Sequence, residues 1–299
     1  MKHFLFSPEV AAALEQRQPI VALESTVITH GLPFPANLET ALALEARVRE
    51  AGAIPATIAV LDGQIQVGCT HAQLERLAQE KMEKVSLWNL PAIIAKNASA
   101  GTTVATTAHL AHLAGIKVFA TGGIGGVHFD AFDESADLPA LARIPIVVVC
   151  AGAKSILNLH ATIERLETLG VPVIGYKTDS LPAFHTPSSP YSVAARLDSP
   201  LEIAKAQLAA RDLEMRQAIL VTNPIDQGID FEKVQVWVEA ANHEARKQKV
   251  YGKHLTPFLL AELARLSSGE TVQVNGRLLQ NNARLAGEVS VALAGLEGL

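Results

Sequence analysis

The sequence predicts an α/β protein with three layers, α/β/α, built on a mostly parallel central sheet and followed by an entirely helical C-terminal part. Short apolar runs recur that are continuous rather than alternating, as strands buried on both faces require. Segments with helical periodicity separate these runs, and glycines follow several of those segments. Regular alternation of strand and helix favours a parallel sheet, and we expect residues 1–299 to form a single domain.

The strand predictions are, in chain order, 20–23, 56–61, 118–121, 144–149, 171–174 and 218–222. Helices are predicted at 37–50, 71–80, 103–114 and 155–169. Gly52, Gly115 and Gly170 follow three of these helices, where a left-handed residue commonly ends the helix. Ser199-Pro200-Leu201-Glu202 has the composition of a helix start, and Thr256-Pro257 repeats this signal.

Beyond Asn223 the pattern is helical only, with predicted helices at 231–248, 257–266 and 277–296. The segment 181–190 contains three prolines and three Ser or Thr residues and is interpreted as a long loop. Loops of this length often serve as lids over a functional site.

The composition of the chain argues against several classes of protein. Hydrophobic residues make up 49% of the chain and the net charge is −5, so a disordered chain and a nucleic-acid partner are not expected. Cys69 and Cys150 are too few for a disulfide framework or a cysteine zinc site. No apolar stretch approaches the length of a membrane span, and we expect a soluble cytoplasmic protein.

Polar residues at the ends of apolar runs are the first candidates for chemistry, because ligands bind at the carboxyl ends of parallel strands. Glu24 ends the first run and could be a general acid with a raised pKa, or a glutamate paired or solvated at the sheet rim. Lys154 follows the run 147–149 and could be an amine nucleophile at a helix start, or a lysine reaching solvent.

Two glycine-containing segments could bind an anion. The segment 121–128 (TGGIGGVH) exposes backbone amides but does not fit the dinucleotide fingerprint, and it could equally be a tight turn. Gly101-Thr102-Thr103 opens a predicted helix.

An acidic loop follows the segment 121–128, with Asp130, Asp133, Glu134 and Asp137 around Ser135. It suits a divalent cation with oxygen ligands, or the start of an acidic helix.

Motifs along nearly the whole chain are collinear with those of one known family: 21–26 (VALEST), 30–35 (HGLPFP), 55–59 (PATIA), 102–105 (TTVA), 119–128 (FATGGIGGVH), 135–138 (SADL), 150–157 (CAGAKSIL) and 256–260 (TPFLL). In these stretches the sequence resembles the pseudouridine-5′-phosphate glycosidases, which include the indigoidine synthase A-like proteins. The resemblance implies an α/β/α homotrimer that uses Mn²⁺, or Mg²⁺, and cleaves a C-nucleoside 5′-phosphate reversibly into uracil and ribose 5-phosphate.

The resemblance also implies residue roles. Lys154 matches the nucleophile that forms a ring-opened imine at C1′, Glu24 the acid that protonates the ring oxygen, and Asp133 the metal ligand. The matching substrate-binding positions are Lys84, Val104, Ser135, Ala136 and Asp137, with Thr103 as an anion-site candidate and His128 and Asn275 as further active-site groups. A C–C glycosidic bond offers no leaving-group oxygen to protonate, so a lysine imine serves where a second carboxylate would not.

The chain departs from the family pattern at a few positions. Leu87-Trp88-Asn89 replaces Arg-Arg-Asp, Phe129 replaces an arginine and Asn158 replaces an aspartate. Loss of these arginines makes an unphosphorylated or different C-nucleoside an alternative substrate, because Arg commonly binds phosphate in a bidentate manner. A catalytically silent ribose-phosphate-binding protein is a second alternative, against which the retention of Glu24 and Lys154 argues.

Overall fold

A computed structural model describes residues 2–129 and 133–298 and shows a mostly parallel sheet. Within these residues the sheet has eleven strands: β1 Phe4–Phe6, β2 Ile20–Glu24, β3 Ile54–Leu61, β4 Gln64–Val67, β5 Glu83–Val85, β6 Ala100–Thr102, β7 Val118–Ala120, β8 Val147–Cys150, β9 Val173–Tyr176, β10 Ala195–Leu197 and β11 Ile219–Thr222. The strand order is β1-β4-β3-β2-β7-β8-β11-β9-β10, with β6 beside the end of β3 and β5 beside β6.

The central strands β2, β7, β8 and β11 are parallel neighbours, and nearly all their residues are buried. This confirms the interpretation of their continuous apolar sequences. Only β4 and β6 run antiparallel to their neighbour β3. The β3–β4 hairpin turns at Asp62-Gly63, both with positive φ, which is the geometry that an Asp-Gly pair favours.

Helices cover the sheet: α1 Pro8–Glu15, α2 Ala36–Glu50, α3 His71–Gln79, α4 Leu90–Ala95, α5 Val104–Leu113, α6 Asp137–Leu141, α7 Leu159–Thr168, α8 Pro200–Asp212, α9 Phe231–Lys247, α10 Leu255–Leu266 and α11 Glu270–Glu297. Gly52, Gly115 and Gly170 each follow a helix and have a positive φ themselves, as the sequence predicts. Two predicted starts are wrong: α7 begins at Leu159 instead of 155, and α11 begins at Glu270 instead of 277.

The C-terminal part is helical, and its last helix contributes to the core. Helix α11 packs against α2 and α8 and lies over β2, β7 and β8. On α11 the Ser290 hydroxyl donates a 3.1 Å hydrogen bond to the carbonyl of Ile20 at the start of β2. One hydrophobic cluster extends through these elements from Val10 to Leu293. In the residues that the model describes, no helix is long and apolar enough to cross a membrane.

The first six residues of the segment 181–190, which was predicted as a loop and a possible lid, lie in the interior of the protein. Residues 181–186 are buried, and Thr186 and the His185 side chain are almost completely shielded from solvent. The N–H of Phe184 donates to the carbonyl of Ala151, which places this segment directly beneath the loop that follows β8. The predicted loop is present, but a covering lid would be exposed, so the expectation of a lid is wrong for residues 181–186.

Candidate active site

Three neighbouring parallel strands bring the main candidates to one edge of the sheet. Strand β2 ends at Glu24, β7 is followed directly by Thr121, and β8 is followed four residues later by Lys154. Because β2 pairs with β7 and β7 with β8, all in parallel, these three positions lie at the same carboxyl edge. This is the place where ligands bind in open α/β sheets.

The loop that carries Lys154, residues 151–157, runs alongside the glycine-rich loop, residues 121–127. Ala151 N–H donates to the carbonyl of Gly122 at 2.9 Å, and Lys154 N–H donates to that of Ile124 at 3.1 Å. In the opposite direction, Ile124 N–H donates to the carbonyl of Gly152 at 3.1 Å. These bonds extend the β7–β8 pairing beyond the strands and fix the backbone of Lys154.

The glycines of this loop are required by contacts within the protein. A Cβ at Gly123 would lie 2.5 Å from the ring of Phe184, and one at Gly125 would lie 2.2 Å from the Ser135 hydroxyl. The glycines therefore permit close packing of the loop against its neighbours. The segment is not a tight turn, because its backbone continues the parallel pairing of β7 with β8 through Ile124 and Ala153.

Glu24 lies in an environment that favours its protonated form. Burial raises the pKa of the Glu24 carboxyl, and the nearby Asp137 raises it further. The positive charges of Lys154 and Lys84 and a hydrogen bond donated by the Thr121 hydroxyl oppose this shift without cancelling it. A carboxyl with a raised pKa can serve as a general acid.

The structure changes the argument for Lys154. Helix α7 begins five residues later, and Asn158 caps it by accepting a 3.0 Å hydrogen bond from the N–H of Ala161. Lys154 is therefore not at a helix start, and the expected effect of the helix dipole on its amine is wrong. Its surroundings are nevertheless restrictive, since residues 151–153 and 155–157 are buried.

Lys84 joins the same cluster from β5, a short strand without an apolar run in its sequence. Burial lowers the pKa of Lys84, and the charge of Lys154 lowers it further, while Asp137 and Glu24 oppose the shift. Charges shift a pKa in this way only over short distances, so Lys154 and Asp137 lie near both Glu24 and Lys84. The structure thus brings together four residues that were predicted from separate parts of the sequence.

The predicted substrate-binding residues around 103–104 and 135–137 form a second group. Thr103 caps α5, and Asp137 accepts hydrogen bonds from the N–H groups of Ala105 at 2.9 Å and Gly125 at 2.8 Å. Asp137 therefore joins the start of α5 to the glycine-rich loop. The Ser135 hydroxyl accepts from the N–H of Asp137 at 3.2 Å.

Two backbone N–H groups in this region have no acceptor among the described residues. None of the hydrogen bonds formed within the described residues uses the N–H of Val104 or of Ala136. Val104 is the first residue of α5 and Ala136 precedes α6. Free N–H groups at such positions are suited to binding phosphate oxygens.

The acidic loop is only partly described, because Asp130 lies outside the described residues. Glu134 pairs with Arg165 at 3.0 Å, and Asp137 is occupied by amides. Asp133 is partly exposed, and its carboxylate forms no hydrogen bond or ion pair within residues 2–129 and 133–298. No group of three metal-binding side chains occurs in that part of the chain. The single carboxylate of Asp133 could hold only a cation that keeps most of its waters.

His128 and Asn275 are the last two predicted residues. His128 donates its backbone N–H to the carbonyl of Asp133 at 2.9 Å, which closes the acidic loop. Asn275 lies on α11, two turns before Asn282.

Sequence reasoning missed Asn282, which is fully buried and donates to the carbonyl of Thr121 at 2.9 Å. A polar residue within a helical pattern carries no local signal of such a contact.

The positions that depart from the family pattern have different environments. Asn158 caps α7 and Asn89 accepts a bond from the N–H of Ser86, so both retain roles that an aspartate would perform. Trp88 is 79% exposed and Phe129 is 46% exposed. Leu87 is partly buried against the core.

The fold and site define an α/β protein with a lysine–carboxylate centre at the carboxyl edge of its sheet. Residues 9–292 match the model of the indigoidine synthase A-like proteins, and the chain belongs to that family. It is 60% identical over 281 residues to pseudouridine-5′-phosphate glycosidase of Thermus thermophilus, covering 94% of this chain and all of the relative. Identity to the Escherichia coli enzyme of the same name is 48% over 299 residues, covering 98% and 96%.

A solved structure agrees with this assignment. The crystal structure of prealnumycin C-glycosynthase in complex with ribulose 5-phosphate superimposes with a TM-score of 0.92 at 38% identity. The match covers all of this chain and 99% of the other.

Proposed function

We propose that the protein is a pseudouridine-5′-phosphate glycosidase that cleaves the C–C glycosidic bond through an imine at Lys154. The observation that carries the proposal is the clustering of Lys154, Glu24 and Lys84 at the carboxyl edge of β2, β7 and β8. Relatives that bear this activity in their names span almost the whole chain, which supports the substrate class.

The proposed reaction assigns one step to each group. The Lys154 amine attacks C1′, and the C1′–O4′ bond breaks as Glu24 gives its proton to O4′. The C1′–C5 bond then breaks as C1′ forms an imine with Lys154 and C5 of uracil takes up a proton. Water hydrolyses the imine, which releases ribose 5-phosphate and restores the lysine. Each step is reversible.

We further propose that Lys84 and the free N–H groups of Val104 and Ala136 hold the 5′-phosphate. Asp133 would hold Mn²⁺ or Mg²⁺ through one carboxylate and several waters, and the ion would neutralise negative charge beside the phosphate. Ser135 and Asp137 keep these amides in place by their own hydrogen bonds. The resemblance to the family adds a homotrimer, which light scattering would measure.

Trapping with borohydride tests the central step. Incubation with ribose 5-phosphate and borohydride should add the mass of the reduced sugar phosphate to the peptide that contains Lys154. Lys154→Ala should abolish both trapping and turnover, whereas Glu24→Gln should bind substrate and fail to open the ring. Normal turnover of pseudouridine 5′-phosphate by Lys154→Ala would exclude the mechanism.

A further inference from the structure

The residue directly after the proposed nucleophile belongs to a buried polar pair. The Ser155 hydroxyl lies 2.8 Å from Nδ1 of His185, and the two residues are 1% and 2% exposed. A hydrogen bond between buried neutral groups is costly to break, because neither partner can turn to water.

The pair is neutral in the folded protein. Burial lowers the pKa of His185 to about 3, so the imidazole carries no charge at neutral pH. An uncharged ring can exchange one hydrogen bond with the serine hydroxyl in either direction. It adds no cationic charge beside Lys154.

His185 belongs to the buried segment 181–186, which contacts the Lys154 loop, residues 151–157, at three places. Besides the Ser155 bond, Phe184 N–H donates to the carbonyl of Ala151 at 2.8 Å. A Cβ at Gly152 would lie 2.0 Å from the carbonyl oxygen of Pro182, so the two backbones are in close contact. The Lys154 loop is thereby held on one side by the glycine-rich loop and on the other by this segment.

The backbone of this segment is itself constrained. Phe184 has a φ of +61°, a conformation that a bulky residue adopts only where its surroundings enforce it. The carbonyl of His185 accepts a 2.8 Å hydrogen bond from the N–H of Ile229, which fixes the backbone that carries the ring. Strained residues of this kind cluster where a site must be held in one geometry.

We propose that His185 is a positioning residue for the reaction, which acts through Ser155 to fix the backbone from which Lys154 reaches C1′. The inference rests on the proposed function, because it concerns the amine that forms the imine. A lysine side chain is long and flexible, so the position of its Cα governs how often its amine reaches attack geometry. Loss of the pair should slow imine formation while leaving the phosphate contacts intact.

The test compares Ser155→Ala, His185→Phe and the double variant. His185→Phe keeps a ring beside Phe184 but has no hydrogen-bonding nitrogen, whereas His185→Asn places an amide near the position of Nδ1. Ser290→Ala is the matched control, because it removes a buried hydroxyl bonded to Ile20 at the opposite end of β2. For each protein we would measure the rate of borohydride trapping at Lys154, kcat, KM and Tm.

We expect Ser155→Ala and His185→Phe each to reduce kcat and the trapping rate at least about tenfold, with KM changed by less than about twofold. The double variant should be no slower than the slower single variant, since both remove one interaction. His185→Asn should recover much of the rate, and Ser290→Ala should lower Tm without slowing trapping.

Trapping at the wild-type rate in both single variants, or an equal loss in Ser290→Ala, would overturn the positioning role. Absence of any adduct in an active wild-type protein would instead refute the proposed imine, and the positioning role with it.

Discussion

At the scale of single residues, the protonation of Glu24 depends on a contact with Thr121. The Thr121 hydroxyl donates to the Glu24 carboxylate and thereby stabilises its charged form, against the effect of burial. The Thr121 carbonyl is in turn held by Asn282. The pKa of Glu24 therefore depends on Thr121, which lies 97 positions further along the chain.

Removal of this hydroxyl should change the pH dependence of the reaction. Thr121→Val deletes a bond that lowers the pKa of Glu24, so that pKa should rise further. Because the acid must be protonated to act, the basic limb of kcat/KM should move to higher pH. Thr121→Ser should restore the wild-type limb. A limb that stays in place, or moves as far in the control Thr222→Val, would contradict this role of Thr121.

Trp88 and Phe129 lead to a prediction about phosphate recognition. Both aromatic side chains are exposed where the family pattern has arginines, so no charge-assisted contact comes from these positions. One such contact is worth roughly 1.5–3 kcal/mol, or on the order of tenfold or more in affinity. With Lys84 as the proposed cationic contact, we expect kcat/KM to favour the 5′-phosphate over pseudouridine by only about tenfold to a hundredfold, and Phe129→Arg to increase that preference. A preference of several orders of magnitude in the wild type would contradict this expectation.

Asp133 provides the test of the metal. Treatment with EDTA followed by desalting should lower turnover, and added Mn²⁺ should restore it. Asp133→Ala should need much more Mn²⁺ for the same activity, because the cation loses its main protein ligand. Glu134→Ala is the control, since its carboxylate already pairs with Arg165. Full activity after EDTA, together with a silent Asp133→Ala, would exclude the metal assignment.

At the scale of elements, sequence reasoning succeeded where a segment is uniformly buried. Strand β8 has four fully buried apolar residues, and its sequence reports this directly. Strands β5 and β10 were missed because exposed or charged residues interrupt any apolar run. Strand β4 was also missed, although the Asp62-Gly63 pair before it is typical of a hairpin turn.

In the candidate site, too, residues with a local sequence signal were predicted and residues without one were missed. The places of Glu24 and Lys154 at the carboxyl edge of the sheet were predictable because each ends or follows an apolar run, whereas the metal-binding role of Asp133 stays a prediction. His185 and Asn282 were not predictable, because their partners Ser155 and Thr121 are distant in sequence. Only the packing of α11 and of segment 181–186 against the sheet brings them together.

Gly152 tests how tightly segment 181–186 holds the Lys154 loop. Gly152→Ala introduces a Cβ 2.0 Å from the carbonyl of Pro182 at a φ of +89°. Gly269 is a matched control, with a φ of +86° and no heavy atom within 4 Å of its Cβ position. Gly269→Ala should cost about 1–2 kcal/mol of unfolding free energy, from the left-handed backbone alone. Gly152→Ala should cost at least about 2 kcal/mol more, through overpacking. Equal losses in urea unfolding would show that the contact relaxes.

At the scale of the whole molecule, one hydrophobic cluster joins the sheet, the C-terminal helices and the buried segment 181–186. His185 therefore lies in a segment whose apolar residues Leu181, Ala183 and Phe184 pack into this core. This links the proposed positioning device to the global stability of the fold.

The contribution of His185 to the stability of the protein should fall as the pH falls below 6.5. Its ordinary pKa of 6.5 applies in the unfolded chain, whereas burial lowers the pKa to about 3 in the folded protein. Between these values the unfolded chain binds a proton that the folded protein does not, which lowers the free energy of unfolding by about 1.4 kcal/mol per pH unit. At pH 5 the loss amounts to about 2 kcal/mol.

His185→Phe has no titrating ring and should lack this dependence, although its stability at pH 7 can differ from that of the wild type. Glu24 and Glu45, whose pKa values are raised by burial, contribute a dependence of opposite sign that both proteins share. The difference between the two proteins therefore isolates His185. Urea unfolding at pH 7, 6 and 5 measures it, and we expect the wild type to lose about 2 kcal/mol relative to the variant over that range. Parallel pH profiles would show that the imidazole takes up its proton inside the folded protein.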